Sequence, residues 1–202
     1  MPSAPAPPLD VPVLEGRHVR LEPLSLSHVP ALSEVAFDPT LWEWTVSQVR
    51  TPEELWRYVE QALADRVAGT AFAFAQVERA DGRAVGSTRF ANFSAEHSRI
   101  EIGWTWIARP WQRTAINSEA KLLLMTHAFE TMGLRRVELK ADALNVQSRT
   151  AIRRLGAVEE GVLRQHMASA TGRVRDTVYY SVLRDEWPGV RERLTAGLGA
   201  GS

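Results

Sequence analysis

Two stretches of this sequence carry residue types able to bind and aim a reacting group. The first is I-A-R-P-W-Q-R-T-A-I-N-S-E-A-K, residues 107–121, in which a polar loop runs into a helix-forming segment. The leading amides of such a helix, near Ala115 to Ser118, lack intrahelical acceptors and point outward at the positive end of the helix dipole. Gln112, Arg113 and Thr114 add side-chain donors beside them, which makes the segment a ready anion site. The plain alternative is a capped helix, with Asn117 or Ser118 as N-cap and Glu119 stabilising the first turn. The second stretch is Asn145-Val-Gln-Ser148-Arg149, another helix start just past a strand, where Asn and Ser read on their own as caps. Both stretches follow strands and precede helices, the position at which open sheets gather ligands.

Composition closes several other routes. The chain has 202 residues, 45 % hydrophobic and 24 % charged, the balance of one globular domain with its own core. Lys plus Arg and Asp plus Glu number 24 each, so no global basic field exists to hold a nucleic acid and no such partner is expected. The densest basic group, Arg135, Arg136, Arg149, Arg153 and Arg154, suits the phosphates of a small ligand better. There is no cysteine, which excludes disulfides, thiolate metal sites and a cysteine nucleophile. The five histidines show no H-E-x-x-H or other ligand spacing, and no metal is expected. G-x-S-x-G and G-x-x-x-x-G-K-[ST] are both missing, which removes the usual hydrolase and NTPase signals. No apolar run is long enough to cross a bilayer, and residues 1–12 lack the basic and apolar regions of a signal peptide. A cytoplasmic protein that does not engage membranes is expected.

Five of the eleven prolines fall in residues 1–12, which predicts a disordered lead-in. Residues 196–202 predict a flexible tail, leaving one domain over 13–195. Val19, Leu21 and Pro23 alternate as a strand, and Ser27 caps a helical stretch ending near Asp38-Pro39. Thr51-Pro52-Glu53-Glu54 starts a helix that reaches about Ala68. Residues 72–78 and 85–93 form a hairpin around Asp81-Gly82. A strand over 99–107 follows. Its alternation sets Ile100, Ile102, Trp104 and Trp106 on one face and Glu101, Gly103, Thr105 and Ile107 on the other, with Gly103 marking a bulge or a close backbone approach. Then come a helix from Ser118 to about Met132, a strand over 136–141, a helix over 145–155, a hairpin of 162–167 and 177–183, and a terminal helix from Glu186. The order is β-α-α-β-β-β-α-β-α-β-β, and strands 99–107 and 136–141 must run parallel if they are neighbours.

Together, W-Q-R-T-A-I-N-S-E-A-K, the strand R-V-E-L-K-A-D, N-x-x-S-R-x-A-I-x-x-L-G-A and E-G-x-L-R resemble the GNAT superfamily of acyl-CoA N-acyltransferases, in particular its ribosomal-protein N-terminal acetyltransferase branch. The resemblance covers about Leu14 to Trp187. It implies an α/β fold of three layers, a mixed and mostly antiparallel central sheet flanked by helices, with acetyl-CoA as co-substrate and a primary amine as acceptor. The family's Q/R-x-x-G-x-G/A pyrophosphate motif falls on Gln112, Arg113, Thr114, Ala115, Ile116 and Asn117, with Ser118 at the same helix start. Arg113, Ala115 and Asn117 stand where small residues, mostly glycine, are frequent. The resemblance further implies that strand amides near Ile107 bind pantetheine and the acetyl carbonyl, that Asn145 contacts the co-substrate, and that Ser148 lies near the leaving sulfur. Ile152 stands where many members carry a tyrosine acid. Arg153 is placed to reach a phosphate.

For the base, Glu101 is the best candidate, with His97 and His166 as alternatives. Without cysteine the expected reaction is direct attack by the amine in a ternary complex. The alternative is a GNAT-like protein that binds an acyl-CoA or a partner without turnover. Acceptor selection is expected in Phe37 to Arg66 and in the hairpin Val162 to Tyr180, and a homodimer is left open.

Overall fold

The computed structural model describes residues 11–199; residues 1–10 of the expected lead-in and 200–202 of the expected tail lie outside them. Alternating apolar residues build a sheet of eight strands: β1 (Leu14–Glu15), β2 (Val19–Pro23), β3 (Ala71–Glu78), β4 (Ala84–Ser94), β5 (Arg99–Ile107), β6 (Arg136–Asp142), β7 (Val158–Ala168) and β8 (Val174–Leu183). They lie in the order β1-β2-β3-β4-β5-β6-β8-β7. Every pair is antiparallel except β5 with β6. Helices α1 (Val29–Ser33) and α2 (Pro52–Val67) cover one face, and α3 (Ala115–Thr126), α4 (Val146–Leu155) and α5 (Trp187–Gly199) the other. The mixed, mostly antiparallel three-layer arrangement matches the expectation.

Two cores result, one per face. Phe72, Phe74, Phe90, Ile100, Ile102 and Leu139 pack under α3, α4 and α5. Ala73, Ala75, Val77 and Trp106 pack under α1 and α2. Each fully buried phenylalanine contributes about 1.5–3 kcal/mol. Val11 is itself buried, and α5 continues through Gly199.

The feature that positions the site is the short β5–β6 ladder. Only Arg99–Arg136, Ile100–Val137 and Glu101–Glu138 are paired, so beyond Glu101 the two parallel strands are unjoined and a gap opens between their carboxyl ends. On its other edge β5 is held tightly. A Cβ on Gly86 would lie 2.3 Å from the carbonyl oxygen of Trp106, so only glycine lets β4 approach there.

Several expectations need correction. Helix α3 starts at Ala115 with Thr114 as N-cap, not at Ser118 with Asn117 or Ser118 as cap, because the Thr114 hydroxyl accepts the Ile116 amide first. Its last turn is a π-helical segment, His127–Thr131. The face assignment in β5 holds only as far as Ile102. Trp104 has φ 49° and the β4 register slips beside it, a bulge that inverts the alternation. Thr105 and Ile107 therefore join Ile100 and Ile102 toward α3, while Trp104 and Trp106 share the face of Glu101. Ser25, not Ser27, caps the short 3-10 turn Leu26–His28 that leads into α1, and α1 itself has His28 at its N-cap position. The last hairpin begins four residues earlier than expected, at Val158.

Candidate active site

The gap is lined at its mouth by two helix starts. Between β5 and α3 the loop is pinned by Trp111, whose Nε1 donates to Glu78 at 2.7 Å, and by Gln112, whose Nε2 donates to the Ile107 carbonyl at 2.9 Å. Thr114 donates its hydroxyl to the Trp111 carbonyl at 2.7 Å while capping Ile116. The amides of Ala115 and Asn117 then have no acceptor among the described residues, and the Asn117 Oδ1 is buried without a partner there. Unpaired amides at the positive end of a helix select an anion. Arg113 has φ 62°, so the position where the resembled family often has glycine demands a left-handed backbone, and an arginine adopts it here. The Ile116 side chain is buried in the core, and its amide is already taken by the Thr114 hydroxyl.

Across the gap, Asn145 caps α4 by accepting the Ser148 amide at 2.9 Å on Oδ1, so its amide nitrogen keeps both donors. The Ser148 hydroxyl has no partner among the described residues. Gln147, which the sequence did not single out, donates to Gln112 at 3.1 Å and ties the two loops together. Arg149 donates to the Ala143 carbonyl at 2.9 Å and to the Tyr180 hydroxyl at 3.2 Å, a bracing role. Arg153 pairs with Glu159 at 2.5 Å, so its guanidinium is already engaged. Ile152 is buried against the sheet. Beside the α3 start, a hollow of about 270 Å³ is lined by Arg17, Arg79, Thr114 and Ala115 among others. Arg17, which has no ion pair among the described residues, had no motif to announce it.

The opposite face of the gap is charged. Glu101 is buried, with Lys140 Nζ at 2.6 Å and Asn92 Nδ2 at 2.6 Å, both on Oε2. Its Oε1 faces Gly103, where a Cβ would stand 3.0 Å away. Burial pulls the Lys140 ammonium down, but Glu101, Tyr179 and their hydrogen bonds outweigh it and hold its pKa above the usual lysine value. Lys140 also lies 4.7 Å from the Tyr179 ring centroid, beside a cavity of about 530 Å³. His166 stacks edge-on against Tyr179 at 5.7 Å, and His97 sits in the exposed β4–β5 turn; neither touches Glu101. Two loops roof this face. The Ala170 amide meets the Thr45 carbonyl at 3.4 Å, joining the β7–β8 turn to the segment between α1 and α2.

One further group is unusual. Lys121, on the sheet-facing side of α3, is buried, with Nζ 2.7 Å from the Thr105 hydroxyl and 3.4 Å from that of Thr88. No carboxylate among the described residues pairs with it, and burial lowers its pKa from 10.5 to about 7.

The family model for the acetyltransferase (GNAT) domain matches residues 18–158. Among curated proteins, "Putative ribosomal N-acetyltransferase YdaF" of Bacillus subtilis (strain 168) is 37 % identical over 109 residues, 54 % of this chain and 58 % of that protein's own length. A solved "putative acetyltransferase" from T. thermophilus is 38 % identical, with a TM-score of 0.84, over 92 % of this chain and 96 % of that one. A GCN5-related N-acetyltransferase from Brucella melitensis is 30 % identical, with a TM-score of 0.87, over 97 % of this chain and 92 % of that one.

Proposed function

The chain belongs to the GNAT acetyltransferase family and is an N-acetyltransferase, and from that premise we propose that it moves an acetyl group from acetyl-CoA to a primary amine by direct attack in a ternary complex. The observation that carries this reading is the β5–β6 gap, with unpaired amides of α3 and the start of α4 on one side and the Glu101 carboxylate on the other. The residues present fit coenzyme A. Arg17, Arg79, Thr114 and Ala115 line the hollow where an anionic diphosphate would meet the α3 amides, and an alanine at 115 adds no more than a methyl group to that approach. When bound, acetyl-CoA supplies the activated carbonyl carbon and a thiol leaving group.

This chain's residues then act on protons and position. The free Oε1 of Glu101 accepts the proton that the attacking amine loses, with Lys140 and Asn92 fixing the carboxylate through Oε2. As the carbon–sulfur bond breaks, Ser148 donates a hydrogen bond to the departing thiolate from the first turn of α4, and the thiolate takes its proton from solvent. The amide at the end of β5 near Ile107 polarises the carbonyl, its strand held in place by Gly86. The sequence relationship to the "Putative ribosomal N-acetyltransferase YdaF" of B. subtilis favours a peptide N-terminus among amine acceptors.

The test is release of CoA thiol from acetyl-CoA with a panel of peptides and small amines, with acetylated products identified by mass spectrometry. Intersecting initial-velocity lines are expected, and Ser148→Ala lowers kcat while leaving acetyl-CoA binding intact. Parallel lines, or no thiol release with any amine, overturn the proposal.

A further inference from the structure

On the α1/α2-side face of the gap, under the two loops that roof it, each cation but one among the described residues has a carboxylate. Lys140 has Glu101, and Arg173 has Asp142 and lies 5.4 Å from the Trp44 ring. Arg175 is 8 % exposed, yet no carboxylate among the described residues lies within 4 Å of it. It points from β8 on the same side as Thr177 and Tyr179, past the carboxyl end of β6. Its Nε donates to the Thr177 hydroxyl at 3.1 Å and its Nη1 to the Trp44 carbonyl at 3.3 Å, which leaves Nη2 with no partner among the described residues. Burying a guanidinium without a counter-ion is costly, and proteins accept that cost rarely. Burial lowers its pKa, while the negative charges of Asp142 and Glu101 act on it from nearby, which places it within electrostatic reach of the proposed base.

We propose that Arg175 binds a carboxylate carried by the acceptor, so that the preferred amines are amino acids or peptides with a carboxylate close to the reacting nitrogen. The inference rests on the acetyl-transfer reading above and narrows its acceptor class. Three observations support it. The thioester's helices, α3 and α4, fill one face of the gap, so the amine enters from the face where Arg175 lies. Lys140, Arg173 and Arg175 outnumber Glu101 and Asp142 by one charge, which matches a single carboxylate better than a phosphate dianion. The free edge of the guanidinium is planar, as is a carboxylate.

The experiment compares three acceptor sets with the intact protein: free amino acids, the same amino acids as C-terminal amides, and short peptides with an acidic or a neutral residue next to the N-terminus. Acids are expected to exceed their amides by about 30-fold in kcat/KM, through KM, the scale of one buried charge-assisted contact. The peptide arm tells a free amino acid's carboxylate from one on a peptide side chain. Arg175→Gln removes the preference and leaves the amides within about threefold, whereas a merely structural role slows both sets alike. Should the variant misfold, the acid–amide comparison on the unaltered chain still decides. Equal use of acids and amides, or equal loss on both, overturns the proposal. If no amine of any class releases thiol, the reading of acetyl transfer fails instead.

Discussion

Lys121 offers a sharp physical test of how this fold is held. Its ammonium would sit under α3 with two hydroxyls and, among the described residues, no carboxylate, and burial brings its pKa from 10.5 to about 7. That depression corresponds to about 5 kcal/mol of destabilisation relative to a lysine in water, since each pH unit is worth about 1.4 kcal/mol. Replacing it with methionine keeps the apolar stem and removes the amine. The hydroxyls of Thr88 and Thr105 stay satisfied, because they already bond each other at 2.8 Å. After subtraction of the lost Nζ hydrogen bond and of relaxation around the site, Lys121→Met is expected to stabilise the protein by about 2 kcal/mol at pH 7. The pH dependence gives the reasoning its sign. Between about pH 7 and pH 10.5 the unfolded chain carries a proton on this lysine that the folded chain has lost, so the unaltered protein gains stability as pH rises through that window. The variant lacks that gain, so its advantage shrinks by about 2 kcal/mol from pH 7 to pH 9 and stays level below pH 7. Urea unfolding of both proteins at pH 6, 7, 8 and 9 measures it. An advantage that does not change between pH 7 and pH 9 would refute the claim that this amine is neutral in the fold.

Three other substitutions probe the site and its supports. Gly103→Ala sets a methyl group 3.0 Å from the free oxygen of Glu101 and is expected to lower kcat by about tenfold with the acetyl-CoA Kd unchanged; an unaltered kcat removes Glu101 Oε1 from the mechanism. Glu119→Ala takes away the carboxylate that accepts the amides of Arg17, His18 and Val19 at 2.6–2.8 Å, and should cost about 3 kcal/mol in thermal or urea unfolding. Arg113→Gly relieves a left-handed residue and is expected to add about 1 kcal/mol of stability, while calorimetry shows CoA binding about tenfold weaker and less sensitive to salt.

What the sequence made legible follows from local chemistry. Thr51-Pro52-Glu53-Glu54 starts α2 as expected, since the cap, the proline and the carboxylates all act within one turn. Strands β5 and β6 and the start of α4 behind β6 were legible for the same reason, and the structure brings Gln112 and Gln147 into contact across the two loops. The start of α3 was misplaced because Thr114, Asn117 and Ser118 are all good caps, and only the left-handed Arg113 decides among them. The faces of β5 were misread because one bulged residue, Trp104, shifts every side chain after it by one place. Lys140 and Arg175 left no signal. Their role depends on β6 meeting β5 in parallel and on β8 inserting between β6 and β7, pairings that no spacing along the chain encodes.

The same bulge separates two kinds of chemistry. On the α3 and α4 face the gap is edged by backbone amides, an asparagine and a serine, donors suited to a diphosphate and a thioester. On the other face it is edged by Glu101, Lys140, Asp142, Arg173 and Arg175, charges suited to an amine that must be held and deprotonated. Had β5 kept its simple alternation past Ile102, Thr105 would face the charged side, and Trp104 and Trp106 would be driven into α3. The gap lets the two faces meet across one missing ladder. Substitutions on the two faces should therefore separate kinetically: Arg113 and Asn145 through the KM for acetyl-CoA, Arg175 through the KM for the amine, and Glu101 through kcat. Double variants taken one from each face are expected to be additive within about 0.5 kcal/mol, because their ligands approach from opposite sides of the sheet. Strong coupling between Arg113 and Arg175 in such a cycle would mean that both bind one molecule, and the division of labour across the sheet would have to be abandoned.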